Sequence, residues 1–258
     1  MAEPVPAATV VLAREGMPTG RPWQCFMVRR HVLSDFASNV WVFPGGKVDP
    51  EDREATLEGF CSGHPPPAME ETEVASWRFF RLAAIRELFE EAGVLLARRE
   101  GAGNLSLDGD ACEVFSNYRE KMQAGTMTLL ELATQESLTF PLDHLHQISR
   151  WITPPSFPKR FDTHFFAAFA PEGQTPIHDR HETTESIWIA PEEALERYRT
   201  GSFPLVFATE KHLERMVRHS SLDSLVTSVT PADLEPVMPR AVQENGETRY
   251  LIPGDRDY

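Results

Sequence analysis

Three cysteines in 258 residues, Cys25, Cys61 and Cys112, form no CxxC pair. Neither a zinc cluster nor a disulfide framework is therefore indicated, and a reduced, cytoplasmic setting fits best. Positive charge is also short. The 25 Lys and Arg against 39 Asp and Glu leave a net charge of −14, which argues against nucleic acid or an anionic membrane as partner. An anionic ligand would need something local to offset that charge. No run approaches the ~18 apolar residues of a membrane span. The opening MAEPVPAATVVLAREG lacks the basic-then-apolar pattern of a secretory leader. No internal repeat is visible.

What is present is enough to build a core: 41% hydrophobic and 10% aromatic residues in a chain long enough for one large domain or one domain with an appendage. Ala7 to Ala13 and Trp23 to Val28 read as a strand hairpin, and Trp41 to Phe43 as a short strand stopped by Pro44-Gly45-Gly46. Residues 49 to 71, with three consecutive prolines, read as a surface excursion. A helix is predicted from about Thr72 to Ala92, with Gly93 as its stop. Further strands are expected at 147 to 153, 161 to 169 and 186 to 189, followed by helices from Pro191 and from Ala208 to Arg218. Strands, then helix, then strands again indicate a layered α/β domain. The expected organisation is a domain over 1–200, interrupted at about 53–71 and by a helical insert at about 100–146, with a helical extension at 201–258.

The stretch AAIRELFEEAGV, residues 83 to 94, concentrates charge. At about 100° per residue, Glu87, Glu90 and Glu91 share roughly 100° of arc, while Leu82, Ile85, Leu88 and Phe89 lie on the other side. Like charges at such spacing repel on a bare helix. A solvated acidic face is one explanation, with Arg86 pairing Glu90. A divalent cation is the other, since hard cations take oxygen ligands and Mg²⁺ pairs carboxylates with substrate phosphates. Two neighbours favour the cation. Upstream lies WVFPGGKVDPED, whose Gly45 and Gly46 let backbone approach a ligand. The small pair Ala83-Ala84 would let the helix sit tightly on a sheet.

Residues 86 to 94, R-E-L-F-E-E-A-G-V, resemble the second half of the Nudix box. The first half is Gly46 followed six positions later by Asp52, an aspartate in place of the usual glutamate. The spacer from Asp52 to Arg86 holds 33 residues, far more than the box prescribes. This interrupted box is similar to the coenzyme A diphosphatase branch of the Nudix hydrolases. So are Arg30 with Phe36 before the glycine loop, WITP at 151 to 154, RFDTHFF at 160 to 166, Glu182 six residues before Trp188, and LIPGD near the end.

The resemblance implies a Nudix fold, an α/β/α sandwich around a mixed sheet. It implies hydrolysis of a diphosphate bond in a small-molecule nucleotide, coenzyme A or an acyl-CoA first, with ADP-ribose, NADH or a dinucleoside polyphosphate as alternatives. A non-hydrolytic nucleotide sensor or scaffold is the alternative from another class. It assigns Mg²⁺ or Mn²⁺ to Glu87, Glu90 and Glu91 together with the Gly46 carbonyl, and as ligands Glu90 and Glu91 are expected to be exposed. Arg86 would hold Glu90 or Asp52 in place, although aspartate is one methylene short. The proton acceptor stays open among Glu87, Glu182 and Glu185. Arg30, Gly45, Lys159 and Arg160 are candidate phosphate-binding positions. His64 and His164 read as structural. The C-terminal quarter is left as either pocket wall or homodimer contact.

Overall fold

Alternate residues of the first strand face opposite ways, and both faces are covered. In the computed structural model of the chain, residues 2–15, 23–31, 39–67, 69–99, 103–179, 182–244, 247–255 and 258 are described. Strand β1 (Val5–Glu15) sends Ala8, Val10 and Leu12 into one apolar cluster and Val11 and Ala13 into another. A strand buried on both faces shows no polar alternation, which is why Ala7 to Ala13 contains no charge.

The central sheet also contains β2 (Trp23–Arg30), β3 (Trp41–Val42), β4 (Gly45–Lys47), β5 (His146–Ile152), β6 (Phe161–Phe169), β7 (Thr183–Ile189) and β8 (Pro236–Val237). Its order is β7-β2-β1-β6-β5-β8, with β3 on β2 and β4 on β1. The β1–β6 and β5–β8 pairs are parallel and the others antiparallel, so the sheet is mixed. On one face lie α1 (Glu71–Ala92), α2 (Asp110–Gln123) and α3 (Leu129–Glu136). On the other lie α4 (Pro191–Arg199), α5 (Phe207–Met216) and α6 (Leu222–Thr227). The α/β/α sandwich is thus present.

One edge of β1 is divided between two partners. Its second half pairs with β2, Ala13 opposite Cys25, while its first half receives β4, with Gly45 opposite Thr9 and Gly46 opposite Ala8. The glycines do not simply end a strand, as the sequence suggests. They are laid into the sheet, and only glycine fits. A Cβ on Gly45, at φ +156°, would stand 2.3 Å from the Ala8 carbonyl oxygen.

Helix α1 packs over this point. Leu82, Ala83, Ala84, Ile85, Leu88, Phe89 and Ala92 are all buried, and Gly93 ends it in the left-handed conformation at φ 68°. The interruption of the box is folded as well. Short 3₁₀ turns at Glu51–Arg53 and Ala55–Phe60 bury Asp52 and Leu57, and Cys61–Ser62 pairs with Leu138–Pro141. Most of the segment lies at the surface, as the sequence suggests, but it anchors Asp52 and Leu57 in the interior. The extension is α-helical only to Thr227, with one 3₁₀ turn following at Pro231–Leu234. Beyond it, Pro236–Val237 joins the sheet and Arg240–Glu244 pairs with Glu247–Leu251 in a separate hairpin. Among the described residues no helix is long and apolar enough to cross a membrane.

Candidate active site

Two groups of carboxylates flank α1 near its C-terminal end, and they are treated differently. The first surrounds Arg86. Its Nε donates to Asp52 Oδ1 at 3.0 Å and its Nη2 to Asp52 Oδ2 at 3.0 Å, a bidentate pair. Nη1 reaches Glu87 at 3.0 Å and Glu90 Oε2 at 3.1 Å, and Nη2 also donates to the Lys47 carbonyl at 2.7 Å. Aspartate is therefore long enough. The 3₁₀ turn brings Asp52 so close that a glutamate's extra methylene is not needed. Burial works against the Arg86 charge, but the Asp52 bonds and the Glu87 and Glu90 charges outweigh it and hold its pKa above the ordinary value.

The second group is Glu87 and Glu91, against the glycine strand. The Gly45 N–H donates to Glu91 Oε2 at 2.9 Å. A Cβ on Gly46 would lie 2.5 Å from the Glu87 carboxyl carbon, so the missing side chain there makes room for a carboxylate. Glu91 is 6% exposed, and neither it nor the half-buried Glu90 sits on an open surface as the sequence suggests. Burial pushes Glu91 up to about 8; the Gly45 N–H and the Arg30 charge pull it down, and Glu182 and Asp179 push it further up. Glu87 is held well above the ordinary carboxylate range by burial and by Glu91 and Glu90, against the pull of Arg86. A buried carboxylate, Glu91, and a half-buried one, Glu87, stand close together, and Arg86 is paired only with the second.

The three glutamates do not gather as one cluster: Glu90 turns to Arg86, and among the described residues no group of three His, Cys, Asp or Glu side chains is placed to hold a metal ion. Two carboxylates and backbone oxygen nevertheless suit Mg²⁺, which commonly takes one or two protein carboxylates and fills its shell with water and substrate phosphate.

The remaining sequence candidates divide. Arg30, at the end of β2, is close enough for its charge to stabilise ionised Glu91, and its buried Nε has no hydrogen-bond partner. Glu182 is exposed and also acts on Glu91. Glu185 is engaged by Arg29 at 2.5 Å across β2 and β7. Arg160 is not brought to the glycine strand. Val5 donates to its carbonyl whereas Gly46 lies opposite Ala8, three residues or roughly 10 Å along β1. Its guanidinium donates to the carbonyls of Thr153 and Ala2. Exposed Lys159 precedes it. Phe36 lies outside the described residues, and His164 stacks on Phe80 at 3.7 Å.

Sequence reading missed Arg119 of α2, which donates from Nε to the Glu90 carbonyl at 2.9 Å. Gln123 donates to the same oxygen at 2.6 Å. An isolated arginine in a helical insert carries no local signal of such a contact.

Residues 68–208 match the family model described as the NUDT19 Nudix domain. The chain is 26% identical over 298 residues to the acyl-coenzyme A diphosphatase NUDT19 of Homo sapiens, covering 98% of this chain and 80% of that one. It is 28% identical to the Gallus gallus protein of that name over 300 residues, covering 98% and 79%. The crystal structure of a Nudix hydrolase from Alicyclobacillus acidocaldarius superimposes with TM-score 0.75 at 26% identity, over 89% of this chain and 98% of that one. With its box helix, its glycine strand and a family match over more than half its length, this chain belongs to the Nudix hydrolases.

Proposed function

We propose that the chain is a divalent-metal-dependent diphosphatase that cleaves coenzyme A or acyl-CoA to 3′,5′-ADP and the (acyl-)4′-phosphopantetheine. The observation that carries the substrate is the likeness to acyl-coenzyme A diphosphatases along 98% of the chain, rather than across the box alone. The fold by itself would not choose among nucleotides.

Glu87, Glu91 and the Gly46 carbonyl would hold Mg²⁺ or Mn²⁺, with Glu90 at the edge of the set. When bound, the ion neutralises charge on the diphosphate and lowers the pKa of a coordinated water. The protein's own residues do the rest. Arg86 fixes Glu87 and Glu90 in place from the Asp52 side. Arg30 supplies a phosphate contact, and its buried Nε without an acceptor supports that role. Glu182 takes the proton of the attacking water. It is exposed and within electrostatic reach of Glu91, whereas Glu185 is held by Arg29 and Glu87 lies beneath Gly46.

The test is turnover with Mg²⁺ against CoA, acetyl-CoA, ADP-ribose, NADH and a diadenosine polyphosphate, with products resolved by chromatography. CoA or acetyl-CoA should lead in kcat/KM, and 3′,5′-ADP should appear. A clear preference for ADP-ribose, NADH or the diadenosine compound would overturn the substrate assignment. Silence toward all of them would point to a nucleotide sensor.

A further inference from the structure

The end of α1 is closed by a three-way clip. Ile177 donates its N–H to the Ala92 carbonyl at 2.9 Å. Arg119 donates from Nη2 to the Ile177 carbonyl at 3.0 Å and from Nε to the Glu90 carbonyl at 2.9 Å. The last carbonyls of a helix have no partner within it, and here the carbonyls of Glu90 and Ala92 are satisfied from α2 and from the 177 segment. Gly93 makes room: a Cβ there would stand 3.0 Å from Arg119 Nη1. Burial lowers the Arg119 pKa, opposed by the charges of Asp179, Glu91 and Glu90.

What the clip holds matters more than the clip itself. Two residues beyond Ile177, the Asp179 carboxylate accepts from the backbone N–H groups of Glu182 (3.1 Å) and Thr183 (2.9 Å) and from the Thr183 hydroxyl (2.7 Å). The Glu182 carbonyl accepts from the His31 N–H, beside Arg30. Hydrogen bonds from the helix carrying Glu90 and Glu91 to Arg119 and Ile177, two residues of backbone from Ile177 to Asp179, and the Asp179 bonds to Glu182 and Thr183 therefore connect that helix to the backbone of Glu182. One planar guanidinium spans both carbonyls; a lysine ammonium is a single point and does not reproduce the fork.

We infer that Arg119, contributed by the helical insert, is a positioning residue that sets Glu182 relative to Glu91 for the hydrolytic step. The inference rests on the proposed role of Glu182. Gln123 is the internal control, because it donates to the same Glu90 oxygen but has no bond to Ile177 among the described residues.

The experiment compares Arg119→Ala, Arg119→Lys and Gln123→Ala in the full chain, together with Glu182→Gln and the Arg119→Ala/Glu182→Gln double variant. Steady-state kinetics are measured with the substrate the wild type turns over fastest, and hydrogen exchange follows residues 177–183. Arg119→Ala should lower kcat about 10-fold with KM within twofold, the size expected of a small misplacement. Arg119→Lys should recover less than half of the logarithmic loss. Gln123→Ala should stay within twofold of wild type. The double variant should be no slower than Glu182→Gln alone, the signature of two residues acting as one unit. Amides of 182 and 183 should exchange faster in Arg119→Ala and not in Gln123→Ala. Three results would overturn the inference: kcat unchanged in Arg119→Ala, an equal loss in Gln123→Ala, or additive losses in the double variant. If Arg119→Ala fails to fold, Arg119→Lys carries the same comparisons. A wild-type rate unaffected by Glu182→Gln would instead remove the role of Glu182 and leave hydrogen exchange as the test of the clip.

Discussion

Asp52 and Glu91 are both buried carboxylates beside the same helix, 2% and 6% exposed, yet their surroundings are opposite. Asp52 is gripped by two guanidinium nitrogens and accepts the Asp49 N–H. Glu91 has the Gly45 N–H, with the Arg30 charge acting on it and the charges of Glu182 and Asp179 opposing it. A buried charge that is fully paired serves as scaffold, and removing one partner is costly because it strands the other. A buried charge left short of a partner destabilises the fold, and such arrangements concentrate where a ligand or reaction uses them. On the proposed function, the contrast sets the part of the Nudix box that holds shape apart from the part that would do the chemistry.

Glu91→Gln and Glu87→Gln should each lower kcat by about 10²-fold or more; Glu91→Gln should also keep a melting temperature equal to or above wild type, since it removes a buried carboxylate short of partners, whereas Glu87→Gln also gives up the Arg86 ion pair. Near-normal rates, or loss of fold with loss of rate, would erase the distinction. On the scaffold side, Asp52→Asn should destabilise by about 3–5 kcal/mol in denaturant titration, because Arg86 keeps its charge and loses its strongest partner. A loss below 1 kcal/mol would mean that Glu87, Glu90 and Lys47 suffice to hold it.

A third treatment of burial sharpens the same point. His212, on the other face of the sheet, has its ring nitrogens against Ser149 Oγ at 2.6 Å and the Ala208 carbonyl at 2.7 Å. Burial, joined by Arg215, lowers its pKa to about 4 against a pull upward from the Ala208 carbonyl. Here the interior removes the charge instead of pairing it. With the folded value below the unfolded 6.5, the unfolded chain binds the proton first. The stabilisation is complete above pH 6.5 and is lost as pH falls toward 4, about 3 kcal/mol in all. Urea titrations of wild type and His212→Gln across this window should show a steeper fall in the wild type; parallel curves would contradict it. The smallest effect belongs to the exposed pair of Arg29 and Glu185. Glu185→Gln should change stability by less than about 1 kcal/mol and leave kcat within about twofold, whereas a loss matching Glu182→Gln would move the proton acceptor to Glu185.

The same contrast marks what could be read from the residues alone. Helix α1 was legible because Leu82, Ile85, Leu88 and Phe89 fall on one side of a helical wheel and because Gly93 is a left-handed stop. The strands were legible from β-branched, charge-free runs such as Ala7 to Ala13. The partnership of Arg86 with Asp52 was only half legible, since 33 residues separate them and reach depends on a 3₁₀ turn that no propensity specifies. Glu90 shared the acidic arc with Glu87 and Glu91, but helical angle does not say which carboxylate a neighbouring arginine will take. Arg160 looked suitable as a scarce cation, and only strand register shows it facing the carbonyls of Thr153 and Ala2. The hairpin at 240–251 and the packing of Leu57 were hidden for a similar reason: both depend on distant partners rather than on local pattern.

On the proposed function, Glu87 and Glu91, crowded against Gly45 and Gly46, form a site for a divalent cation. Titration of Mn²⁺ followed by electron paramagnetic resonance, on wild type and on Glu91→Gln, with and without the substrate that the wild type turns over, tests it directly. The wild type should bind saturably and Glu91→Gln at least about tenfold more weakly, in line with the loss of a ligand. Equal Mn²⁺ affinity in the two proteins, or none in the wild type with its substrate present, would contradict it.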